Sequence, residues 1–126
     1  KCLYVSSAEV YALNENTDSH REVDDISISY DYKRNFYLMG KLSGELMVNN
    51  FCSMGYDAKS IRLSAVYGPC HSFDDCRVLS DLSRKGIGDK EYIDLLDEGN
   101  ALRRYLHLSD LLIMFLNNET LRTQPL

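Results

Sequence analysis

Apolar residues recur at Leu38, Met39, Leu42, Leu46, Met47 and Phe51, three or four positions apart, so the stretch from about Arg34 to Cys52 reads as an amphipathic helix. Gly55 stands where a helix of that length would close. Ahead of it, residues 2–6 read as a short buried strand, and Asn14 to Asp25, crowded with Asn, Asp, Glu and Ser, as a surface loop. After it, Lys59 to Val66 alternates, with Ile61, Leu63 and Ala65 on one side, and Gly68-Pro69 supplies a turn. Strand, helix and strand in that order predict a βαβ unit and a parallel sheet.

Beyond Pro69 the pattern predicts a helix over Asp74 to Lys85, a strand over Tyr92 to Leu96, and a turn at Asp97-Glu98-Gly99-Asn100. A further strand is expected over Arg104 to Leu108, followed by a helix from Asp110 to Asn117 with Ser109 as its N-cap. The expected fold class is α/β: the C-terminal half of a Rossmann-like parallel sheet in residues 1–66, and part of a small α+β substrate-binding domain in residues 67–126.

The balance of 44% hydrophobic and 26% charged residues over 126 positions is that of an ordinary globular chain. A net charge of −5, with no window rich in Lys and Arg, argues against nucleic acid as a partner. Cys2, Cys52, Cys70 and Cys76 form no C-x-x-C pair and His20, His71 and His107 are scattered, so no metal site is expected; reduced thiols suit the cytoplasm. The longest apolar run, Leu111 to Leu116, is far below the roughly 20 residues of a membrane helix, and no membrane partner is expected. The chain opens on Lys1 inside a strand-like run, with neither a basic n-region nor an apolar h-region, and the N-terminal part of a longer protein is expected to be missing. The sequon Asn118-Glu119-Thr120 carries little weight without a secretory signal.

Tyr37 and Lys41 lie four residues apart, which puts both on one helix face. A free phenol, with a pKa near 10, is a poor base at neutral pH, and an adjacent ammonium favours its ionised form. On its own the Tyr-x-x-x-Lys spacing is weak evidence in a chain with nine tyrosines and six lysines. Ser7, at the end of the first strand, adds a hydroxyl. Glu45, on the face of Lys41, is read as a support for that lysine, Arg62 as a brace for the sheet, and His107 as a packed core imidazole. A serine hydrolase built on Ser7 is disfavoured, since there is no G-x-S-x-G elbow.

Read in order, Val5-Ser-Ser-Ala-Glu-Val-Tyr11, Tyr37-Leu-Met-Gly-Lys41 with Glu45, Ile61-Arg-Leu-Ser-Ala-Val-Tyr-Gly-Pro69, Arg77-Val78 and Arg103-Arg-Tyr-Leu-His-Leu-Ser-Asp110 resemble the NAD-dependent epimerase/dehydratase family, the extended branch of the short-chain dehydrogenase/reductases. The resemblance implies an enzyme that converts nucleotide sugars by transient hydride transfer with NAD, NADP remaining open, usually as a homodimer. Gly40 and Gly44 would lie on the helix face that meets the partner subunit. It implies Tyr37 as the proton-transfer group, Lys41 as its electrostatic partner and a ribose contact, Ser7 as the hydroxyl that bonds the reacting oxygen, and Arg77 and Arg103 as diphosphate contacts. Glu9 stands where dehydratases and decarboxylases of the family carry an acid, either a second proton-transfer group or a structural carboxylate. Ala8 departs from the residues that accompany that acid, and Ala65 replaces a substrate-holding Asn. Epimerase, 4,6-dehydratase-like, UDP-glucuronate decarboxylase-like and non-catalytic nucleotide-binding readings therefore all stay open. The family's glycine-rich phosphate turn is absent, because Gly86-Ile-Gly88 has no third glycine and no following helix. The chain by itself is expected to be inactive.

Overall fold

The computed structural model describes residues 1–14, 19–69, 75–88, 92–95, 98–100 and 102–117. They belong to two units, Lys1–Ser64 with Asn117–Leu126, and Ala65–Leu116. The expected helix start at Asp74, the strand end at Leu96, Asp97 and the sequon lie outside the described residues.

The first unit is built on two parallel strands. Strand β1 (Cys2–Ser7) runs into a single 3-10 turn (Ala8–Tyr11), and after the polar loop comes helix α1 (Asn35–Ser53) and then strand β2 (Ala58–Leu63). Strands β1 and β2 pair in register from Cys2 opposite Ala58 to Ser7 opposite Leu63, and α1 packs on both. The α/β class with parallel pairing is the partial Rossmann-like arrangement expected from the pattern.

Helix α1 ends in a complete Schellman motif. Gly55, at φ 85°, donates its amide to the Cys52 carbonyl at 2.9 Å, and Tyr56 donates to the Phe51 carbonyl at 3.1 Å. The Phe51 and Tyr56 rings meet edge to face at 5.9 Å, the apolar contact that accompanies this cap. A side chain at Gly55 would be strained, which is why glycine stops the helix here.

The inward face of α1 differs from the expected stripe. Leu38, Val48 and Glu45 are buried, whereas Phe36, Met39, Leu46 and Met47 are exposed. A helix that covers only two strands buries a narrow seam, so half of its apolar period turns outward. The Tyr4 ring fills the space beside Gly44: a Cβ there would come within 2.2 Å of the ring. Gly44 thus makes room for this chain's own strand, while Gly40 faces open space.

The polar loop is stapled back onto the unit. Asn14 donates to the Asp25 carbonyl at 2.6 Å and accepts from the Ser27 amide at 2.9 Å, and the Tyr11 hydroxyl donates to the Arg21 carbonyl at 2.9 Å. His20 stacks on Tyr11 with centroids 4.7 Å apart.

The alternating run expected over Lys59 to Val66 is broken at Ser64. Strand β3 (Ala65–Tyr67) belongs to the second unit and pairs in parallel with β4 (Tyr105–His107), Val66 lying opposite Leu106. Between them lies helix α2 (Val78–Ile87), and α3 (Leu108–Leu116) follows β4 at once. The strand expected at Tyr92 does not form over residues 92–95: that backbone enters no ladder, and Tyr92, Ile93 and Leu95 stay exposed. Ser109 is not the cap of α3. The helix starts at Leu108, and the His107 ring takes the capping place, its Nδ1 accepting from the Ser109 amide at 3.3 Å and meeting the Ser109 hydroxyl at 2.6 Å. His107 is accordingly half-buried beside Tyr67 rather than packed in a core. No helix among the described residues is long and apolar enough to cross a membrane.

Candidate functional site

The candidate groups of the first unit gather where β1 ends and α1 begins. The unbroken helical turn between Tyr37 and Lys41 holds both on one side of α1, and the Lys41 Nζ lies 5.6 Å from the Tyr37 ring centroid. Lys41 also reaches back to strand β1. Its ammonium donates to the Val5 carbonyl at 3.0 Å and sits 5.6 Å from the Tyr4 ring centroid, so it is anchored two residues before Ser7. Ser7, extended at φ −140° and ψ 141°, caps the 3-10 turn, its Oγ accepting from the Glu9 amide at 3.2 Å. That bond uses an acceptor site only, and the hydroxyl proton stays available to a ligand oxygen. No hydrogen bond joins Ser7 to Tyr37 among the described residues.

Glu9 leaves the 3-10 turn half-buried, with both carboxylate oxygens engaged. Oε1 accepts from the Tyr32 hydroxyl at 3.0 Å, and Oε2 pairs with the Arg34 guanidinium at 2.8 Å. Burial, followed by the hydrogen bond to the Glu9 carboxylate, raises the Tyr32 phenol above its ordinary pKa, so that group holds its proton at neutral pH. To exchange a proton with a substrate, Glu9 would have to release one of these partners. Arg34 also lies over the Tyr37 ring, its guanidinium carbon 5.0 Å from the centroid. Tyr32, Arg34 and the Val5 carbonyl were not singled out from the sequence. Only the position of Arg34, one helical turn before Tyr37, hinted at its contact.

Glu45 does not support Lys41. Its carboxylate is buried against Arg62 of β2, which donates Nε to Oε1 at 2.9 Å and a terminal nitrogen to Oε2 at 2.6 Å. Arg62 also donates to the Tyr11 hydroxyl and, at 3.2 Å, to the Glu22 carbonyl. It is therefore the brace the sequence suggested, tying β2, α1, the 3-10 turn and the polar loop together. Burial, the largest single influence, opposes ionisation of Glu45, but the hydrogen bonds from Arg62, the nearby Ser6 hydroxyl and the charge of Arg62 together outweigh it and hold the carboxyl below its ordinary pKa. The buried Ser6 hydroxyl makes no bond of good geometry, yet it lies near enough to the Glu45 carboxylate to favour the charged form as well.

In the second unit Arg77 precedes α2 and forks onto Asp75, with Nε 2.9 Å and a terminal nitrogen 2.7 Å from Oδ2. The hydrogen bonds from Arg77 hold the Asp75 carboxyl well below its usual range. Arg103 is exposed in the irregular segment just before β4.

None of the glycines can cradle a pyrophosphate in the described residues. Gly86 lies inside α2 and Gly88 caps its C-terminal end, where carbonyls rather than amides face outward.

Parallel strands joined through a helix that carries a phenol and an ammonium one turn apart belong to an α/β protein of partial Rossmann-like type. The chain belongs to the NAD dependent epimerase/dehydratase family, whose model matches residues 1–117. It is 31% identical over 111 residues to a dTDP-4-dehydro-6-deoxy-D-allose reductase from Streptomyces sp, which covers 85% of this chain and 33% of that protein. It is 27% identical over 115 residues to a dTDP-4-dehydro-6-deoxy-D-allose reductase from Streptomyces bikiniensis, covering 88% of this chain and 34% of that one. The chain thus spans about a third of the length of these relatives.

Proposed function

We propose that this chain is the catalytic portion of a nicotinamide-dependent nucleotide-sugar oxidoreductase that reduces a keto group on the sugar. The observation that carries the reading is the Lys41 ammonium, fixed at 3.0 Å on the Val5 carbonyl and beside the Tyr37 ring, which draws the helix pair towards the strand end that bears Ser7. The reductases named above favour ketone reduction over dehydration or decarboxylation, and so does the engagement of Glu9 by Tyr32 and Arg34.

The Ser7 hydroxyl donates a hydrogen bond to the substrate carbonyl oxygen and orients it. A nicotinamide, when bound, would supply the hydride for the carbonyl carbon. The Tyr37 phenol gives its proton to the oxygen as negative charge develops there, and Lys41 stabilises the phenolate left behind. Lys41 and Tyr37 would also hold the nicotinamide riboside. The same groups run the reverse step on an alcohol, which is the first half of an epimerisation. In the second unit we assign Arg77 and Arg103 to diphosphate oxygens, which their forked donors suit; Arg77 must then leave Asp75. The exposed apolar side of α1, with Phe36, Leu46 and Met47, supports a homodimer of the complete protein, and the thiols of Cys2 and Cys52, which enter no disulfide among the described residues, support the cytoplasm.

The test is to supply the complete protein with a nucleotide-linked 4-keto-6-deoxy sugar and a reduced nicotinamide. The reading expects stoichiometric loss of the reduced nicotinamide as the alcohol forms, with a deuterium label moving from the nicotinamide to the sugar carbon. Consumption of a nucleotide sugar without net nicotinamide oxidation would replace it with an epimerase or dehydratase.

A further inference from the structure

We propose that Arg34 is a positioning residue for Tyr37, held by Glu9, so that the 3-10 turn after β1 sets the orientation of the phenol on α1. The role assigned to the phenol rests on the oxidoreductase reading; the clamp itself rests on contacts alone. Arg34 is the N-cap residue of α1, its carbonyl accepting from the Tyr37 and Leu38 amides at 3.0 and 3.1 Å, but its long side chain needs an anchor to occupy one place. Glu9 provides that anchor at 2.8 Å, and Tyr32, bonded to the other carboxylate oxygen at 3.0 Å, keeps the carboxylate turned towards it. Glu9 is itself fixed at its backbone, where its amide donates to Ser7 Oγ. The guanidinium then lies over the Tyr37 ring at 5.0 Å, and the Lys41 ammonium sits 5.6 Å from the same centroid. Two cations thus border one ring, and the clamp limits where its hydroxyl can point.

This arrangement gives Glu9 a use that needs no proton transfer. The side chain of Arg34 is 60% exposed, so its replacement should leave the fold intact.

The experiment follows the Tyr37 ring in the complete protein labelled with 13C tyrosine, its resonance assigned with Tyr37→Phe. Glu9→Gln, which does not touch the ring, is expected to move the Tyr37 resonance in the same sense as Arg34→Met, and Arg34→Lys to restore most of the wild-type position. Tyr32→Phe, which frees only one oxygen of Glu9, should give a smaller displacement. A Tyr37 resonance unmoved by Glu9→Gln or by Arg34→Met overturns the clamp, whatever the enzyme turns over. In the keto-sugar assay the same two variants should lose roughly tenfold or more in kcat, with KM changed by less than about twofold and Arg34→Lys recovering most of the rate. An active wild type whose Arg34→Met variant keeps full kcat refutes the positioning role. A wild type without ketone reduction refutes the proposed function and leaves the resonance experiment to decide the clamp.

Discussion

Removing either member of the Glu45–Arg62 pair should be the most damaging single change in the first unit. The Arg62 and Glu45 side chains keep only 16% and 9% of their exposure, so deleting one strands a buried charge. Breaking such a pair costs about 3–5 kcal/mol, and the residual exposure of Arg62 points to the lower end, about 3 kcal/mol for Arg62→Met. In a chain of this size that corresponds to a fall in Tm of roughly 10 °C. Arg62→Met also takes a donor away from the Tyr11 hydroxyl and the Glu22 carbonyl, which should loosen the polar loop along with the sheet. Thermal unfolding of Arg62→Met, Glu45→Gln and the double variant, arranged as a double-mutant cycle, measures the coupling directly. The double variant should recover part of the loss, since no buried charge remains without its partner. The pH dependence has a definite sign. The Glu45 carboxyl is held below its ordinary pKa in the folded chain, so the pair stabilises fully above the unfolded carboxylate range near 4 and loses that contribution as pH falls through the lower folded value. The gap between wild type and Glu45→Gln should therefore narrow on acidification. Single variants costing under about 1 kcal/mol each, or additive losses in the cycle, would show that the brace does not hold these elements together.

Two further outcomes follow from backbone and anion chemistry. Gly55→Ala should cost about 1–2 kcal/mol, because the φ of 85° is left-handed and disfavours any Cβ, and an unchanged Tm would contradict the Schellman cap. Residues 1–126 alone should show no micromolar affinity for NAD or NADP by calorimetry, since no helix N-terminus among the described residues carries a glycine turn for the pyrophosphate; a measurable heat at that concentration would overturn this.

Local chemistry was legible in the sequence wherever one residue type has one physical use. Gly55 ended the helix because only glycine adopts that φ readily, and the spacing of Tyr37 and Lys41 guaranteed a shared helix face. Arg62, set in an alternating strand ahead of the Gly-Pro turn, read as a brace for the sheet, though not with Glu45 as its partner. What stayed hidden depended on which acid each cation would find. Glu45 could face Lys41 or Arg62 from the same helix, and packing against β2 decided for Arg62, while Lys41 turned to the Val5 carbonyl. The break at Ser64 was hidden because alternation continues across it; only the pairing of β3 with β4 separates the two strands. Ser109 satisfies every compositional rule for a cap, but the imidazole two residues earlier reached the exposed amide first. The apolar period of α1 announced a helix correctly without saying how much of it the sheet would cover.

The central claim is that Ser7, Tyr37 and Lys41 act on one sugar carbon, and Tyr37→Phe in the complete protein tests it most directly. The variant loses a single oxygen and keeps the ring beneath Arg34. The account predicts that it still binds the nucleotide sugar within about twofold of wild type, while single-turnover hydride transfer falls by roughly a hundredfold or more, the scale of a lost general acid. Hydride transfer at the wild-type rate without that hydroxyl would contradict it.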